Sequence, residues 1–393
     1  MKHKILYVNL FPEIGGAETS LLYLLKSLDK KKFEPIVLVS KEGYFSKRLT
    51  KLNCKVVFLP LPGYIIQQLF IPGASPKGLI DFYFLCKKLQ PDLVHLTHVT
   101  LALYTVLPRI FLHIPVLATS WMNSDSVYWY QDVITNLAID KIHAITAEIQ
   151  NLLTKKRIIP KEKITIAVPG VDTSYFRPSK DKTKAKKMFG VSKDFLTVTI
   201  TSRFDPVKDY QTFLQAMSFV VRKIAKTKVL ISQDPKINLE KNNASAPTIK
   251  KAIDEFLKKD KQLKENVIFT GYQEDMLAIY HATDVLISSS LYESLGMTHM
   301  EAASCGIPVV STNKDSQYLI VKDGKTGFLV SPKNPETLAE KVSVLLQDET
   351  LRITFGKNAR LYIVKTLDIH KYAQTIQTLY TSLLKKTVTV LPL

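Results

Sequence analysis

The stretch Ser288–Val310 reads SSSLYESLGMTHMEAASCGIPVV, and its alternation of residue types decides the fold class. An apolar run ends at the serines, a polar loop carrying Glu293 follows, and a helical pattern runs to Gly306, after which a second apolar run begins. Strand, helix and strand in this order form one crossover unit of a parallel sheet. The stretch therefore predicts an α/β fold whose strands are covered by helices on both faces.

The same alternation continues on both sides of this stretch and fills most of the 393 residues. A chain of this length is too long for one core, since cores stop growing near about 250–300 residues. We therefore expect two Rossmann-like parallel-sheet domains. Their functional loops lie at the carboxyl ends of the strands, and these ends can face one another across a cleft.

The domain boundary is placed within Ile164–Pro178, where Pro169 and Gly170 interrupt the periodicity. Residues 1–170 form the first predicted domain and residues 171–366 the second. Three helical segments without a strand end the chain, and residues 367–393 are expected to pack back on the first domain. The lysine-rich Ser179–Phe189 is expected to form an exposed helix.

Composition sets limits on partners and compartment. The formal net charge of +19 attracts polyanions, but the lysines lie in short scattered clusters, which favours a solvated surface over a nucleic-acid groove. The three cysteines are widely spaced and odd in number, which fits neither a disulfide framework nor a metal site. With no signal-like apolar run at the amino terminus, these features predict a cytoplasmic protein.

Two apolar stretches leave peripheral contact with an anionic membrane open. Ile65–Ile71 and Phe82–Leu85 lie near basic residues and can form apolar surface, although ordinary core packing explains them as well. The longest apolar stretch, Leu93–Thr119, contains charged residues and prolines, which argues against a membrane-spanning helix.

Candidate ligand contacts follow two predicted strands, one in each domain. Gly15 and Gly16 lie at a strand-to-helix turn, where two glycines allow close backbone approach to an anion, although a plain tight turn fits equally. Arg203 and Lys208 lie on a loop between a strand and a helix, where two cations can hold a diphosphate. For such a pair alone, surface solvation is the simpler interpretation.

The quoted stretch supplies the richest set of polar groups. Ser294 is predicted to cap the helix, which would leave the amides of Leu295, Gly296 and Met297 available to a phosphate. Glu301 would then lie about two turns inside the helix, and eight helical positions would separate it from Glu293 by ~12 Å. That distance suits two ends of one elongated ligand rather than an acid/base pair. A helix-dipole role for Glu293 and a solvated Glu301 are the alternative.

Taken together, these motifs resemble the retaining glycosyltransferases of the GT4 family, which have the GT-B fold. The resemblance rests on four features in order along the chain: Gly15-Gly16-Ala17-Glu18, Pro169-Gly170-Val171-Asp172, Arg203 with Lys208, and Glu293 to Glu301 followed by Gly306-Ile307-Pro308-Val309-Val310. It covers nearly the whole chain. The fold it implies is the pair of facing Rossmann-like domains predicted above.

The resemblance also implies residue roles. Arg203 and Lys208 would contact the donor diphosphate, Glu301 the nucleotide ribose and Glu293 the transferred sugar, while the Gly15-Gly16 loop would reach the phosphates from the first domain. Members of the family usually need no metal and no cofactor besides the nucleotide-sugar donor. The sequence accordingly holds no Asp-x-Asp motif.

Three positions depart from the family pattern. Gln233-Asp234-Pro235 stands where many members have glycines, and Asp315-Ser316-Gln317 stands where many carry a glutamate. The acceptor-side histidine has no clear counterpart. Asp125, in a Trp-x-x-Ser-Asp stretch that some relatives share, is the acceptor-side candidate, and His98 is the second choice.

The sequence thus predicts a glycosyltransferase that moves a sugar from a nucleotide donor to a glycan or lipid-linked acceptor, in the cytoplasm or at the inner face of the membrane. The departures motivate an alternative, a catalytically inactive sugar-nucleotide or glycan-binding protein of the same fold. A polyanion-binding protein rests on charge alone and is the least favoured.

Overall fold

The structure is a computed structural model that describes residues 2–61, 75–121, 129–233 and 245–389. Helix and sheet contacts divide the chain into two compact units. The first is Met1–Gly170 together with Ile369–Leu393, and the second is Val171–Asp368. Each unit is built on its own parallel sheet, which confirms the predicted fold class of two Rossmann-like domains.

The first unit has a seven-stranded parallel sheet in the order β3-β2-β1-β4-β5-β6-β7. Its strands are β1 (His3–Val8), β2 (Phe33–Val39), β3 (Lys55–Phe58), β4 (Leu93–Leu96), β5 (Val116–Ser120), β6 (Lys141–Ala144) and β7 (Ile164–Ile166). Its helices are α1 (Gly16–Ser27), α2 (Tyr44–Lys51), α3 (Pro76–Leu89), α4 (Ala102–Phe111), α5 (Trp129–Ala138) and α6 (Ala147–Lys155). The order reverses direction between β1 and β4, so the loops after these two strands flank the reversal.

The second unit has a six-stranded parallel sheet in the order β10-β9-β8-β11-β12-β13. Its strands are β8 (Leu196–Ile200), β9 (Thr227–Ile231), β10 (Val267–Phe269), β11 (Val285–Ser288), β12 (Val309–Thr312) and β13 (Gly327–Val330). Its helices are α7 (Lys182–Met188), α8 (Tyr210–Lys223), α9 (Ala246–Lys259), α10 (Lys261–Asn266), α11 (Met276–Ala282), α12 (Met297–Ser304), α13 (Pro335–Gln347) and α14 (Glu349–Thr366). Here the reversal falls between β8 and β11.

Both sheets are buried, and most of their strand residues are apolar; Thr197, Thr199 and Ser311 are buried polar exceptions. In the second unit, Val198, Val229 and Val285 from neighbouring strands share one core cluster with the apolar faces of α8 and α13. Within the described part of the chain, no helix combines the length and the hydropathy that a bilayer crossing requires.

The last helix, α15 (Ile369–Thr389), belongs to the first unit although it follows the second in sequence. Ile376 and Tyr380 are fully buried in the same cluster as Leu25 of α1. Burial of several large side chains of this kind stabilises a packed helix by about 1.5–3 kcal/mol for each side chain. The helix is therefore an integral part of the first unit's core.

A buried chain of hydrogen bonds joins α15 to strands of the first sheet. The Nε2 of His143 faces the carbonyl oxygen of Ala167 at 2.5 Å, so this nitrogen carries the proton. Its Nδ1 then accepts from the hydroxyl of Thr119 at 3.2 Å, and Thr119 accepts from the Nε2 of His95 at 2.9 Å. The Nδ1 of His95 lies 2.7 Å from the hydroxyl of Tyr380, which in turn donates to the hydroxyl of Tyr7 at 2.9 Å. The chain thus holds both imidazole rings in place through both of their nitrogens.

The two histidines of this chain and the neighbouring His98 together predict a pH-dependent stability of the first unit. Burial lowers the pKa of His95 to about 3 and the pKa values of His98 and His143 to about 4. In the unfolded chain each of these histidines takes up a proton near its ordinary pKa of about 6.5, whereas in the folded protein it stays neutral to a lower pH. The contribution of each neutral histidine to the free energy of unfolding is therefore fully present above about pH 6.5 and is lost as the pH falls toward the pKa of the folded protein. From pH 7 to pH 6, we expect a loss of about 0.7 kcal/mol for each histidine, or roughly 2 kcal/mol in total.

Urea unfolding followed by tryptophan fluorescence measures this loss, because Trp121 and Trp129 are the chain's two tryptophans and both lie in the first unit. His143→Gln should reduce the pH dependence by about a third, since one of three titrating groups is removed. His3→Gln, at an exposed position, should leave it unchanged. A fluorescence transition that does not move between pH 7 and pH 6 would contradict the assignment.

Candidate functional site

Loops after three neighbouring strands meet at the reversal point of the second sheet. Lys208 follows β8, Glu293 follows β11, and Asp315 follows β12. Since all strands are parallel, these loops lie at one edge of the sheet, and open α/β sheets bind ligands at this edge beside the reversal. The strand order therefore places the richest motif of the sequence at the expected ligand site.

Lys208 and Glu293 form a partly buried ion pair. The Nζ of Lys208 lies 2.5 Å from Oε2 of Glu293, and the two side chains are only 14% and 18% exposed. Burial is the largest single influence and acts to raise the pKa of Glu293, but the charge and hydrogen bond of Lys208, together with His299 and Arg203, outweigh it and hold the pKa below its ordinary value. The site thus contains an ionised carboxylate beside an ammonium group, both with limited access to water.

The backbone on either side fixes this pair. Lys208 ends a short 3₁₀ turn, Pro206–Lys208, in which the N–H of Val207 donates to the side chain of Asp205 at 3.0 Å. Its carbonyl oxygen accepts from the hydroxyl of Ser289 at 2.8 Å, and the N–H of Leu291 donates to the carbonyl of Val207 at 2.7 Å. The loops after β8 and β11 are thereby joined across the reversal.

Arg203 belongs to the same loop but is more open to solvent. Its side chain is 59% exposed and lies 3.5 Å from the carboxylate of Asp205. Its charge adds a smaller contribution to the lowered pKa of Glu293, after those of Lys208 and His299. Arg203 therefore lies near the pair and keeps an exposed guanidinium group.

The loop after β12 braces the loop of Glu293 through two side chains. The carboxylate of Asp315 accepts from the N–H of Glu293 at 3.0 Å, and the amide of Gln317 donates to the carbonyl of Leu295 at 3.2 Å. Asp315 has a φ of 49°, in the left-handed region that Asp tolerates better than most residues. These two residues were visible in the sequence only as a departure from the family pattern, and nothing local predicted their contacts.

The helix cap differs from the prediction. Helix α12 begins at Met297 and its N-cap is Gly296, so Ser294 does not cap it. Gly296 has a φ of 82°, and a Cβ there would lie 2.6 Å from Nδ1 of His299. That nitrogen is itself 2.5 Å from Oε1 of Gln317. The helix is therefore capped by the left-handed Gly296 and not by Ser294. At position 296 the buried His299–Gln317 pair leaves room only for a hydrogen atom.

Glu301 is buried, not solvated. It is 3% exposed, and its Oε2 accepts from the hydroxyl of Tyr280 at 2.6 Å. It is the fifth residue of α12, about one turn in rather than two. Because Glu293 precedes the helix, the spacing of ~12 Å calculated for eight helical residues does not apply.

The first unit places its candidates beside its own reversal point. Gly15 is the N-cap of α1 and its N–H donates to Oε2 of Glu18 at 2.9 Å, while Gly16 is the first helical residue. His98 follows β4 and is stacked edge-on against Phe11, with ring centroids 5.2 Å apart. Burial lowers its pKa to about 4, so the imidazole is neutral near pH 7. Asp125 lies outside the described residues.

Comparison with known proteins gives a consistent family. Residues 14–175 match the family described as Glycosyltransferase Family 4, and residues 181–362 match Glycosyl transferases group 1. One similar protein is the UDP-Gal:alpha-D-GlcNAc-diphosphoundecaprenol alpha-1,3-galactosyltransferase of Escherichia coli, 24% identical over 96% of this chain and 97% of the relative. Another is the N-acetyl-alpha-D-glucosaminyl L-malate synthase of Bacillus anthracis, 23% identical over 98% of each chain.

Solved structures share the fold. The structure of Anabaena Alr3699/HepE in complex with UDP superposes with a TM-score of 0.81 at 19% identity and covers 97% of this chain and all of that chain. A glycosyltransferase of Rickettsia africae superposes with the same TM-score of 0.81 at 21% identity, over 98% and 99% of the two chains. At these identities the likeness describes the fold.

Proposed function

Because the chain belongs to the GT4-type glycosyltransferases with the GT-B fold, we propose that it transfers a sugar from a nucleoside-diphosphate sugar to a glycan or lipid-linked acceptor with retention of the anomeric configuration. The Lys208–Glu293 pair at the sheet reversal carries this proposal, since it offers one cation and one anion within 2.5 Å of each other. In a donor that carries a diphosphate and a sugar, the diphosphate would contact Lys208 and the sugar would contact Glu293.

The two charges suit the transition state of glycosyl transfer. As the glycosidic bond breaks, negative charge grows on the departing diphosphate and positive charge grows on the sugar ring, as in other oxocarbenium-like reactions. In the proposed reaction, Lys208 and Arg203 stabilise the diphosphate, and the ionised Glu293 binds the sugar hydroxyls and favours the developing positive charge. The limited exposure of Lys208 and Glu293 strengthens both effects.

The remaining contacts follow the same order along the donor. Glu301 is proposed to bind the ribose hydroxyls, for which its buried and hydrogen-bonded position provides a rigid acceptor. The amides of Leu295, Gly296 and Met297 surround the left-handed turn and are proposed to bind phosphate or sugar oxygens. His98 and Asp125 remain the candidates on the acceptor side.

Donor and acceptor classes rest on the relatives. The relative in Escherichia coli is named for a UDP-galactose donor and a diphosphoundecaprenol-linked acceptor, which supports a UDP-sugar and a lipid-linked glycan here. We also propose that no metal or cofactor takes part, because Arg203 and Lys208 can balance the diphosphate charge. The cytoplasm, at the inner face of a membrane, is the proposed place of reaction. The named relatives do not favour the catalytically inactive alternative.

The test is a panel of nucleoside-diphosphate sugars with lipid-linked and soluble glycan acceptors, run with and without EDTA. We expect turnover of a UDP-sugar that EDTA does not reduce, and a product whose anomeric proton shows the donor's configuration by NMR. No turnover and no nucleotide binding would refute the function. An inverted product would refute retention alone, and a loss of activity in EDTA would refute the metal-free chemistry.

Substitutions at Asp315 test how the sugar-binding loop is held. Asp315→Asn keeps both an oxygen acceptor for the N–H of Glu293 and a residue that tolerates a left-handed backbone. Asp315→Gly keeps the backbone freedom and loses the acceptor. We expect the asparagine variant to stay within about twofold of the parent, and the glycine variant to raise the KM for the sugar donor about fivefold to tenfold, as for one lost hydrogen bond of about 1–1.4 kcal/mol.

The free nucleoside diphosphate provides the control for this pair, because it lacks the sugar that Glu293 is proposed to bind. Its affinity, measured by calorimetry, should be the same in both variants and in the parent protein. Equal KM values for the asparagine and glycine variants would show that the carboxylate of Asp315 does not position the loop.

A further inference from the structure

Helices α3 and α4 of the first unit expose large apolar side chains. Ile80 and Phe84 of α3 are 50% and 58% exposed, and Ile110 and Phe111 of α4 are 54% and 64% exposed. Single exposed apolar residues are ordinary, but several on adjacent helices mark an interaction surface. We call these four residues the α3–α4 apolar face.

The face is continuous across the two helices. The ring of Tyr83 lies 5.5 Å from the ring of Phe84 and 6.3 Å from that of Phe111, both edge to face. On the opposite side of α3, Phe82 and Cys86 are fully buried in the unit. The core contacts of α3 therefore direct Ile80 and Phe84 outward, beside the exposed end of α4.

Lysines border the apolar residues of α3 at helical spacing. Lys77 precedes Ile80 by three positions, and Lys87 and Lys88 follow Phe84 by three and four, so all lie along one side of the helix. The three lysines are exposed. Against the single acidic residue Asp81, α3 carries a charge of 3 − 1 = +2. Arg109 of α4 is paired with Asp140 at 2.7 Å and adds no uncompensated charge.

We propose that the α3–α4 apolar face docks on an anionic lipid surface. Phe84, Phe111 and the two isoleucines would enter the boundary between headgroups and acyl chains, and the lysines would remain at the level of the lipid phosphates. The basic border and the net charge of +19 complement anionic headgroups, which favours this occupant over a second copy of the equally basic chain. The proposal deepens the proposed membrane location, on which it rests, by naming the surface that meets the lipid, and it is independent of the donor site.

The experiment is co-sedimentation of the full chain with vesicles of phosphatidylcholine alone or mixed with phosphatidylglycerol. We expect binding to the mixed vesicles that weakens in high salt. Phe84→Gln with Phe111→Gln should lower the binding at least tenfold, because two aromatic side chains leave the bilayer. Lys87→Gln with Lys88→Gln should lower it severalfold and reduce the salt dependence.

The matched control is Ile353→Gln with Leu361→Gln on α14 of the second unit, where the parent residues are 48% and 67% exposed. This variant should bind vesicles like the parent protein. The Phe84/Phe111 variant should keep the parent's tryptophan fluorescence and its turnover of a soluble acceptor, which separates loss of docking from loss of fold or of the proposed function. Parent protein that does not sediment with the mixed vesicles, a Phe84/Phe111 variant that binds normally, or a solution dimer dissociated by the same change would overturn the proposal.

Discussion

Replacing Glu293 with glutamine is expected to lower turnover at least a hundredfold while nucleoside diphosphate still binds. Glutamine has the same shape but removes the charge that lies 2.5 Å from Lys208. Removing one preorganised hydrogen-bonding group from an active site costs about 10²–10³ in kcat, and we expect the loss of this charge to cost at least as much. Because Lys208 loses its competing partner, the diphosphate should bind at least as tightly as to the parent protein. Steady-state turnover and calorimetry with the free nucleoside diphosphate measure the two effects.

A surface pair in the same unit gives the control. Glu340 lies 2.9 Å from Lys341, but its side chain is 59% exposed, and exposed pairs contribute about 0–1 kcal/mol. Glu340→Gln should therefore leave turnover unchanged. If Glu293→Gln also lost nucleotide binding, misfolding would explain the result, and if it kept full turnover, Glu293 would have no part in the reaction.

The fold class was predictable because its signal is local. Short β-rich runs such as Leu196–Ile200 and Val309–Thr312 alternate with helical patterns, and parallel strands require such crossovers. The strand order was not predictable in this way, since β8 pairs with β11 across more than eighty intervening residues. It is this pairing that brings Lys208 to Glu293.

Buried charges were the main error of the sequence interpretation. The sequence predicts an exposed helix over Ser179–Phe189, and five of the seven residues of α7 are exposed, but Lys186 is 5% exposed and lies 2.7 Å from the carboxylate of Asp284. The sequence likewise leaves a solvated Glu301 open, whereas the structure buries it against Tyr280. In both cases the residue that satisfies the buried charged group, Asp284 or Tyr280, is distant in sequence. Residue type alone predicts that lysine and glutamate lie at the surface.

The loop from Ser288 to Gly296 shows a different limit. Ser294 offers the usual local signal for a helix cap, and the structure starts the helix later because Asp315 and Gln317 hold the loop from another strand. The site residues were therefore identifiable by type and order, but their geometry depends on contacts between loops.

Replacing Gly296 with alanine is expected to disrupt the site and destabilise the second unit by about 2–5 kcal/mol. A left-handed backbone costs a residue with a Cβ about 1–2 kcal/mol. The new Cβ would also lie 2.6 Å from Nδ1 of His299 and 3.2 Å from Oε1 of Gln317, so the buried bond between them must break, at about 1–3 kcal/mol. Donor turnover should fall at least a hundredfold, because the loop that carries Glu293 must move.

Gly190→Ala separates the two costs. Gly190 also has a left-handed backbone, with a φ of 69°, but a Cβ there meets nothing within 4 Å. Gly190→Ala should therefore lower the free energy of unfolding only by the cost of the left-handed backbone, about 1–2 kcal/mol, and should keep the turnover of the parent protein. Thermal unfolding followed by circular dichroism, together with the transfer assay, distinguishes the pair. If both alanine variants lost the same stability and kept the same turnover, the His299–Gln317 contact would not hold the loop, and the proposed donor site would lose its rigid support.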